Sequence, residues 1–261
     1  MADPINPRSE KIIKLLLRTS SASLEEILEE AGSSAASIRR DLARLESRGL
    51  IRRTHGGAEL VEPLLYEPFR YDSSFLAREQ RMAVEKRRIG LAAAELIKEG
   101  ETIGLTAGTT TTQIGRSLRH RDRIQVVTNA INIGMELCNQ PGIRTYLTGG
   151  NIPWAWSFSL TGSAALNFLD DVYLDKVFLS VTGLDAESGA TSLEIDEALV
   201  YRKMLRQAKQ AIICTDSSKL GRISPAFICP CGNIQILITD TRATPEAIGP
   251  FERQGIRVIG A

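Results

Sequence analysis

Two groups of residues in this 261-residue chain have types and spacings that could do chemistry. The first is Ser34, Ser37, Arg39, Arg40 and Arg44, followed closely by Arg52, Arg53, His55 and Gly56. Serine hydroxyls and free backbone N–H groups at a helix start donate to phosphates, and arginine pairs with guanine edges or phosphates. The formal net charge is only +1, yet Ser37 to Gly57 holds six arginines against two acids. A local basic footprint of that kind points to nucleic acid as the partner. The second group is Gly108, Thr109, Thr110 and Thr111, with Thr128, Asn129, Gly149, Gly150, Thr182 and Lys219 further along. Small, hydroxyl-rich loops at strand ends aim N–H groups at an anion, and a helix dipole adds to the attraction. Gly108 to Thr111 suit a phosphate, Asn129 and Thr182 suit hydroxyls, and Lys219 supplies neutralising charge.

These residues need elements to position them. Ile12, Ile13, Leu16 and Leu17 share one face of a helix over about Ser9 to Arg18. Ser23-Leu-Glu-Glu26 is a capping-box sequence that opens a second helix, and Gly32 ends it in a tight turn. Ser34 caps a third helix whose Ile38, Leu42 and Leu45 face inward, turning Ser37, Arg40 and Arg44 outward or to the rim. Leu50 to Leu60 reads as two strands about Gly56-Gly57, whose positive dihedrals would form the tip. Helix, tight turn, helix and basic hairpin outline a winged helix-turn-helix. Residues 61–77 read as a linker, and a single helix is expected from Arg78 to Gly100. Seven apolar runs follow: Thr102–Thr106, Ile124–Thr128, Arg144–Thr148, Lys176–Thr182, Ala211–Thr215, Ile234–Thr239 and Arg257–Gly260. Short continuous apolar strands separated by amphipathic stretches predict a mainly parallel sheet covered on both faces. The expected organisation is α/β, with domains at 1–60 and 78–261. Ligands of such sheets sit beyond the carboxyl ends of the strands.

Ser34-Ala-Ala-Ser-Ile-Arg-Arg-Asp-Leu42 and Leu45-Glu-Ser-Arg-Gly-Leu-Ile-Arg-Arg-Thr-His-Gly-Gly-Ala58 resemble the DNA-binding signature of the DeoR family of bacterial transcriptional regulators. The likeness runs at similar spacing to the C-terminus. It implies a regulator, more often a repressor, of a sugar or polyol utilisation operon. Its second domain would sense a phosphorylated sugar on a fold resembling ribose-5-phosphate isomerase. Gly108-Thr-Thr110, Thr128-Asn129, Gly149-Gly150 and Asp216-Ser-Ser-Lys219 match the family's sensing domain. Thr106 and Thr182 depart from it, because members commonly carry an Asp at the first position and Asp or Asn at the second. Both replacements remove groups that could fix sugar hydroxyls. The implied partners are a double-stranded DNA operator, a phosphorylated sugar or polyol, and a second copy in a homodimer or homotetramer, with paired helices on half-sites about 10 base pairs apart.

Other classes are weighed against this one. An isomerase-like enzyme with an appended DNA-binding module needs a positioned carboxylate, for which Glu194, Asp196 and Glu197 are candidates. A second domain that only oligomerises is a third reading. His120, between Arg119 and Arg121, looks solvent-facing, and Trp154 and Trp156 read as packing groups. Cys229-Pro-Cys231 lacks the spacing of common zinc clips, so the four cysteines are expected to be reduced, with no metal or cofactor. No apolar run approaches a membrane span, and the first residues lack an export signal, which fits a cytoplasmic protein.

Overall fold

The computed structural model describes residues 6–47, 50–60, 73–153 and 158–261. The chain divides into two compact units, Met1–Pro68 and Phe69–Ala261. In the first, α1 (Pro7–Thr19), α2 (Leu24–Ala31) and α3 (Ala35–Ser47) bury Ile12, Leu16, Ile27, Ile38 and Leu45 against one another. The capping box forms as expected: Ser23 Oγ accepts the Glu26 N–H at 3.2 Å, while Glu26 Oε2 accepts the Ser23 N–H at 2.7 Å. Gly32 closes α2 in the left-handed conformation at φ 60°, where a side chain is disfavoured.

The hairpin consists of β2 (Ile51–Thr54) and β3 (Gly57–Leu60), paired antiparallel. A third strand, β1 (Ser21–Ser23), pairs with the other edge of β3, giving the order β1-β3-β2. Sequence reasoning had not foreseen it. It also corrects the reading of Gly56-Gly57. Only Gly56 has a positive φ, 116°, whereas Gly57 is required because a Cβ there would lie 2.1 Å from the Ala22 carbonyl oxygen.

The second unit is built on seven parallel strands, one from each apolar run. They are β4 (Thr102–Leu105), β5 (Ile124–Thr128), β6 (Ile143–Leu147), β7 (Leu174–Leu179), β10 (Ala208–Cys214), β12 (Ile236–Thr239) and β13 (Arg257–Gly260). Their order is β13-β12-β10-β7-β4-β5-β6. The chain therefore starts at β4, builds outward to β6, then returns to β4's other side with β7, so the strand order reverses between β4 and β7. Both faces are covered. Helices α5 (Ala83–Glu95), α6 (Thr109–Ser117) and α7 (Ile131–Leu137) bury Ile89, Ile114 and Ile133 on one, while α8 (Ser163–Phe168) and α9 (Ile195–Arg206) bury Ala165 and Met204 on the other. A smaller antiparallel sheet of β8 (Gly183–Asp185), β9 (Gly189–Ser192) and β11 (Ala226–Cys229) had not been expected. Helix α10 (Pro245–Arg253) precedes the last strand.

Two further expectations need correction. The helix predicted over Arg78 to Gly100 is broken: α4 (Ser73–Gln80) ends, Met82 turns left-handed at φ 58°, and α5 begins at Ala83. Residues 73–77 are thus helical rather than linker, with Phe75 buried. His120 is half-buried rather than solvent-facing, and its neighbour Arg119 is buried against Glu136. Trp154 and Trp156 lie outside the described residues.

Candidate functional site

In the first unit, helix α3 carries the basic group. Ser34 and Ser37 lie at its start, their Oγ atoms 3.1 Å apart, with Ser34 Oγ also accepting the Ser37 N–H at 3.4 Å. The Ile38-Leu42-Leu45 stripe is buried, which leaves Arg39 and Arg40 exposed. Neither makes a hydrogen bond or ion pair among the described residues. Arg44 is half-buried. In the hairpin, Arg52 Nε meets Glu59 Oε1 at 2.5 Å and Arg53 Nε meets Glu46 Oε2 at 2.6 Å. The backbone and side-chain bonds from Arg53 hold the Glu46 carboxyl below its usual range. His55 and Gly56 are exposed in the turn between the strands.

Asp41, next to the two free arginines, has a different task. It is buried and accepts from Arg8 Nε and, at 3.1 Å, from Asn6 Nδ2. Burial raises its pKa, but the bonds from Arg8 and Asn6 outweigh that and hold the carboxyl below the ordinary value. Asn6 also caps α1 by accepting the Ser9 N–H at 2.8 Å. Asp41 therefore locks α3 to the start of α1, fixing the helix whose exposed face carries Arg39 and Arg40.

In the second unit, a cavity of about 340 Å³ opens beyond the carboxyl ends of β4, β7 and β10, where the strand order reverses. Gly108, Thr109 and Thr110 at the start of α6, Thr182 after β7 and Lys219 after β10 all line it. The chain approaches closely here: a Cβ on Gly108 would lie 2.4 Å from Ser180 Cβ. Thr111 is buried behind the loop with Oγ1 donating to the Gly108 carbonyl at 3.0 Å. Thr128, Asn129, Gly149 and Gly150 are not in the lining. Thr128 ends β5 and the others follow β5 and β6, on the far side of β4 from β7. Thr128 Oγ1 donates to the Leu105 carbonyl, and Asn129 accepts the Ala107 N–H at 3.0 Å while donating to Ser159. Asn129 thus shapes the loop of the cavity from behind. Thr106 is also spent internally, accepting the Ser180 N–H at 3.0 Å.

Much of the lining was not foreseen. Arg78 and Arg81 project from the end of α4 and its exit, and Lys86 from the first turn of α5. Lys86 is buried, with Nζ donating to the Arg81 carbonyl at 2.7 Å and to that of Arg78. Burial lowers its pKa; Asp216 opposes the fall, Lys219 and Arg78 add to it, and the result is about 8. Lys219 is likewise pulled down by burial, against Asp216, with Arg222, Arg81 and Arg78 contributing. Burial is the main cause of both shifts, and the Asp216, Glu194 and Glu197 carboxyls share the lining with these cations. A second part of the cavity holds Ser159, Thr182, Ser192 and Glu197. Burial raises the Glu197 pKa, although Ser192 Oγ donates to it at 3.4 Å. Tyr201, fully buried, donates to the Ala107 carbonyl at 2.7 Å and ties α9 to the loop before α6. The sequence signal for Lys86 was absent, because a lysine on a predicted helix reads as solvated.

Among the described residues, no cluster of His, Cys, Asp or Glu could hold a metal ion. All four cysteines are free, with Cys214, Cys229 and Cys231 buried; burial pushes the Cys229 thiol up to about 12. No described helix is long and apolar enough to cross a membrane.

A three-helix unit with a basic wing, followed by an α/β unit with a cationic cavity at its switch point, defines a ligand-responsive DNA-binding regulator. Residues 8–63 match the DeoR-like helix-turn-helix domain and residues 81–241 match the DeoR C terminal sensor domain. The chain belongs to the DeoR family and is a DNA-binding transcriptional regulator. It is 33% identical over 251 residues to the HTH-type transcriptional regulator GolR of Listeria innocua, covering 96% of each chain. It is also 33% identical to the HTH-type transcriptional repressor GlcR of Bacillus subtilis, over 95% of this chain and 93% of the relative. Among solved structures, ribose 5 phosphate isomerase A from Neisseria gonorrhoeae aligns over 53% of each chain, at 16% identity and a TM-score of 0.39.

Proposed function

We propose that this chain is a repressor of a sugar or polyol utilisation operon and that a phosphorylated sugar in the second unit's cavity releases it from DNA. One observation carries the ligand assignment: Arg78, Arg81, Lys86 and Lys219 converge with the start of α6 on a single cavity. Four cations and a helix N-terminus suit a phosphate. The hydroxyls of Ser159, Thr182 and Ser192 and the Glu197 carboxyl suit the polyol part of the same molecule. A volume of about 340 Å³ lies at the low end of small-molecule sites and matches a ligand of pentose or hexose phosphate size. The kinship with a named repressor supports the sign of regulation. Ser34, Ser37, Arg39, Arg40 and Arg44 are the groove-facing set, with Arg52, Arg53, His55 and Gly56 along the adjacent backbone. The protein acts as at least a dimer, since one winged domain buries too little surface for firm specific binding.

A thermal-shift screen of sugar phosphates, with hits retested for release of genomic DNA fragments, checks this. The expected result is stabilisation by one class of sugar phosphate and loss of DNA retention at the same concentrations. The cavity's carboxyl, Glu197, is also what an isomerase would use as a base. Turnover of a sugar phosphate that vanishes in Glu197→Gln would replace the sensing role with catalysis.

A further inference from the structure

Lys86 does more at the cavity than add one cation to it. Helix α4 ends with unpaired carbonyls, as helices do, and Met82 folds the chain back in the left-handed conformation. The first turn of α5 then brings Lys86 under those carbonyls, where its ammonium caps Arg78 and Arg81. An ammonium has three N–H donors. Two are used, one on Arg78 in α4 and one on Arg81 just past its end, and the third has no acceptor among the described residues, while the side chain lines the cavity. Helix α4 touches the cavity independently. Phe75 stacks edge-on against Phe158, ring centroids 4.7 Å apart, and both line it, as do Arg78 and Arg81 just beyond. On its other side, Glu79 accepts from Arg116 of α6 at 2.7 Å, and Arg116 reaches Glu136 of α7 at 2.8 Å.

Building on the anion-site reading above, we infer that the ligand's anionic group accepts the third N–H of Lys86, so that one ammonium bridges ligand and α4 and the helix is clamped whenever the cavity is filled. Arg78 and Arg81, carried by the same stretch of backbone, close on the same anion. The anion thus joins two pieces of chain, the α6 loop and the α4 terminus, that otherwise meet through Glu79. Helix α4 is also the first described element after the residues joining the two units, which makes it the place where occupancy leaves the cavity.

Hydrogen exchange on the intact chain, titrated with inorganic phosphate at matched ionic strength, tests this. Exchange is expected to slow at Gly108–Thr112 and across Ser73–Gln80 with one shared midpoint concentration. Lys86→Gln keeps N–H donors for the carbonyls but removes the charge. In it, α4 without phosphate should stay within about threefold of wild type, the α6 response should need about tenfold more phosphate, and the α4 response should disappear. Slowing at α6 without slowing at α4, unequal midpoints, or an unaltered α4 response in Lys86→Gln overturns the bridge and leaves the anion site standing. No response at α6 overturns the anion site itself. If Lys86→Gln does not fold, the two wild-type midpoints decide.

Discussion

The Arg40 side chain is exposed and makes no ion pair among the described residues, whereas that of Asp41 is buried against Arg8 and Asn6. On the reading proposed above, neighbours in sequence separate recognition from architecture. Arg40→Ala is expected to weaken specific operator binding by about 1–3 kcal/mol while leaving thermal stability within about 0.5 kcal/mol. Fluorescence anisotropy on an operator fragment, beside a melting curve, checks both halves. Asp41→Asn behaves in the opposite way, acting on the fold. Because its folded pKa lies below 3.8, the carboxylate contributes stability that is complete above that value and fades as pH falls through the lower, folded one. The variant should lose that acid dependence, read by hydrogen exchange at the α1 and α3 amides of the intact chain. A wild-type acid slope in Asp41→Asn would detach the carboxyl from this lock. The exposed arginines were legible because the apolar stripe of α3 fixes which face is left to solvent. The Asp41 lock was not, since its partner Arg8 lies 33 positions away and nothing local announces the pairing.

Elements were legible where burial imposes a pattern. The inner parallel strands are covered on both faces and appear as apolar runs; the edge strands β6 and β13 are partly exposed, yet every run became a strand of one sheet. Strands β8 and β9, within Gly183-Leu-Asp185 and Gly189-Ala-Thr-Ser192, are too short and too polar to show a period. Strand β1 has three residues and is legible only through Gly57, whose lack of a side chain lets β3 approach the Ala22 carbonyl. Gly57→Ala forces backbone apart at a 2.1 Å contact and is expected to cost about 1–3 kcal/mol, with the loss of protection centred on β1 and β3. Unchanged exchange in those strands would mean that the β1 pairing contributes nothing. The α4–α5 break had no Gly or Pro to mark it. There the Lys86 ammonium takes the Arg78 and Arg81 carbonyls, and Met82 sits at a φ of 58° despite its side chain. Met82→Gly should therefore be neutral or stabilising by up to about 1 kcal/mol, and Met82→Val destabilising by about 1–2 kcal/mol, as melting curves of the two variants would register.

At the scale of the whole molecule, strand order decides which loops meet, and one sequence does not state strand order. Gly108, Thr109, Thr110, Thr182 and Lys219 converge because β7 and β10 lie to one side of β4; Asn129, Gly149 and Gly150, just after β5 and β6, stay outside the lining, although Phe158 and Ser159 reach it from the longer connection between β6 and α8. The cations that complete the site come from chain preceding the sheet altogether. That origin carries a consequence for linkage between ligand and DNA. Lys86, faced by Asp216, Lys219, Glu79 and Arg78, has a pKa of about 8, so an arriving phosphate dianion favours its charged form and draws in a proton. A phosphate ester is already a dianion above about pH 7, since its second pKa is about 6. Ligand affinity should therefore fall as pH rises through 8, approaching tenfold per unit once Lys86 is mostly neutral. Any factor by which ligand weakens operator binding is, by thermodynamic necessity, the factor by which operator weakens ligand binding. At fixed sugar phosphate, operator release should accordingly be efficient near pH 7 and fail near pH 9, whereas binding to DNA without ligand keeps its wild-type level across that range. Calorimetry in buffers of different ionisation heat, run near pH 8, should show net proton uptake in wild type and clearly less in Lys86→Gln, where only Lys219 is left to take up a proton. Ligand affinity that stays level between about pH 7 and pH 9 would remove Lys86 from the binding equilibrium.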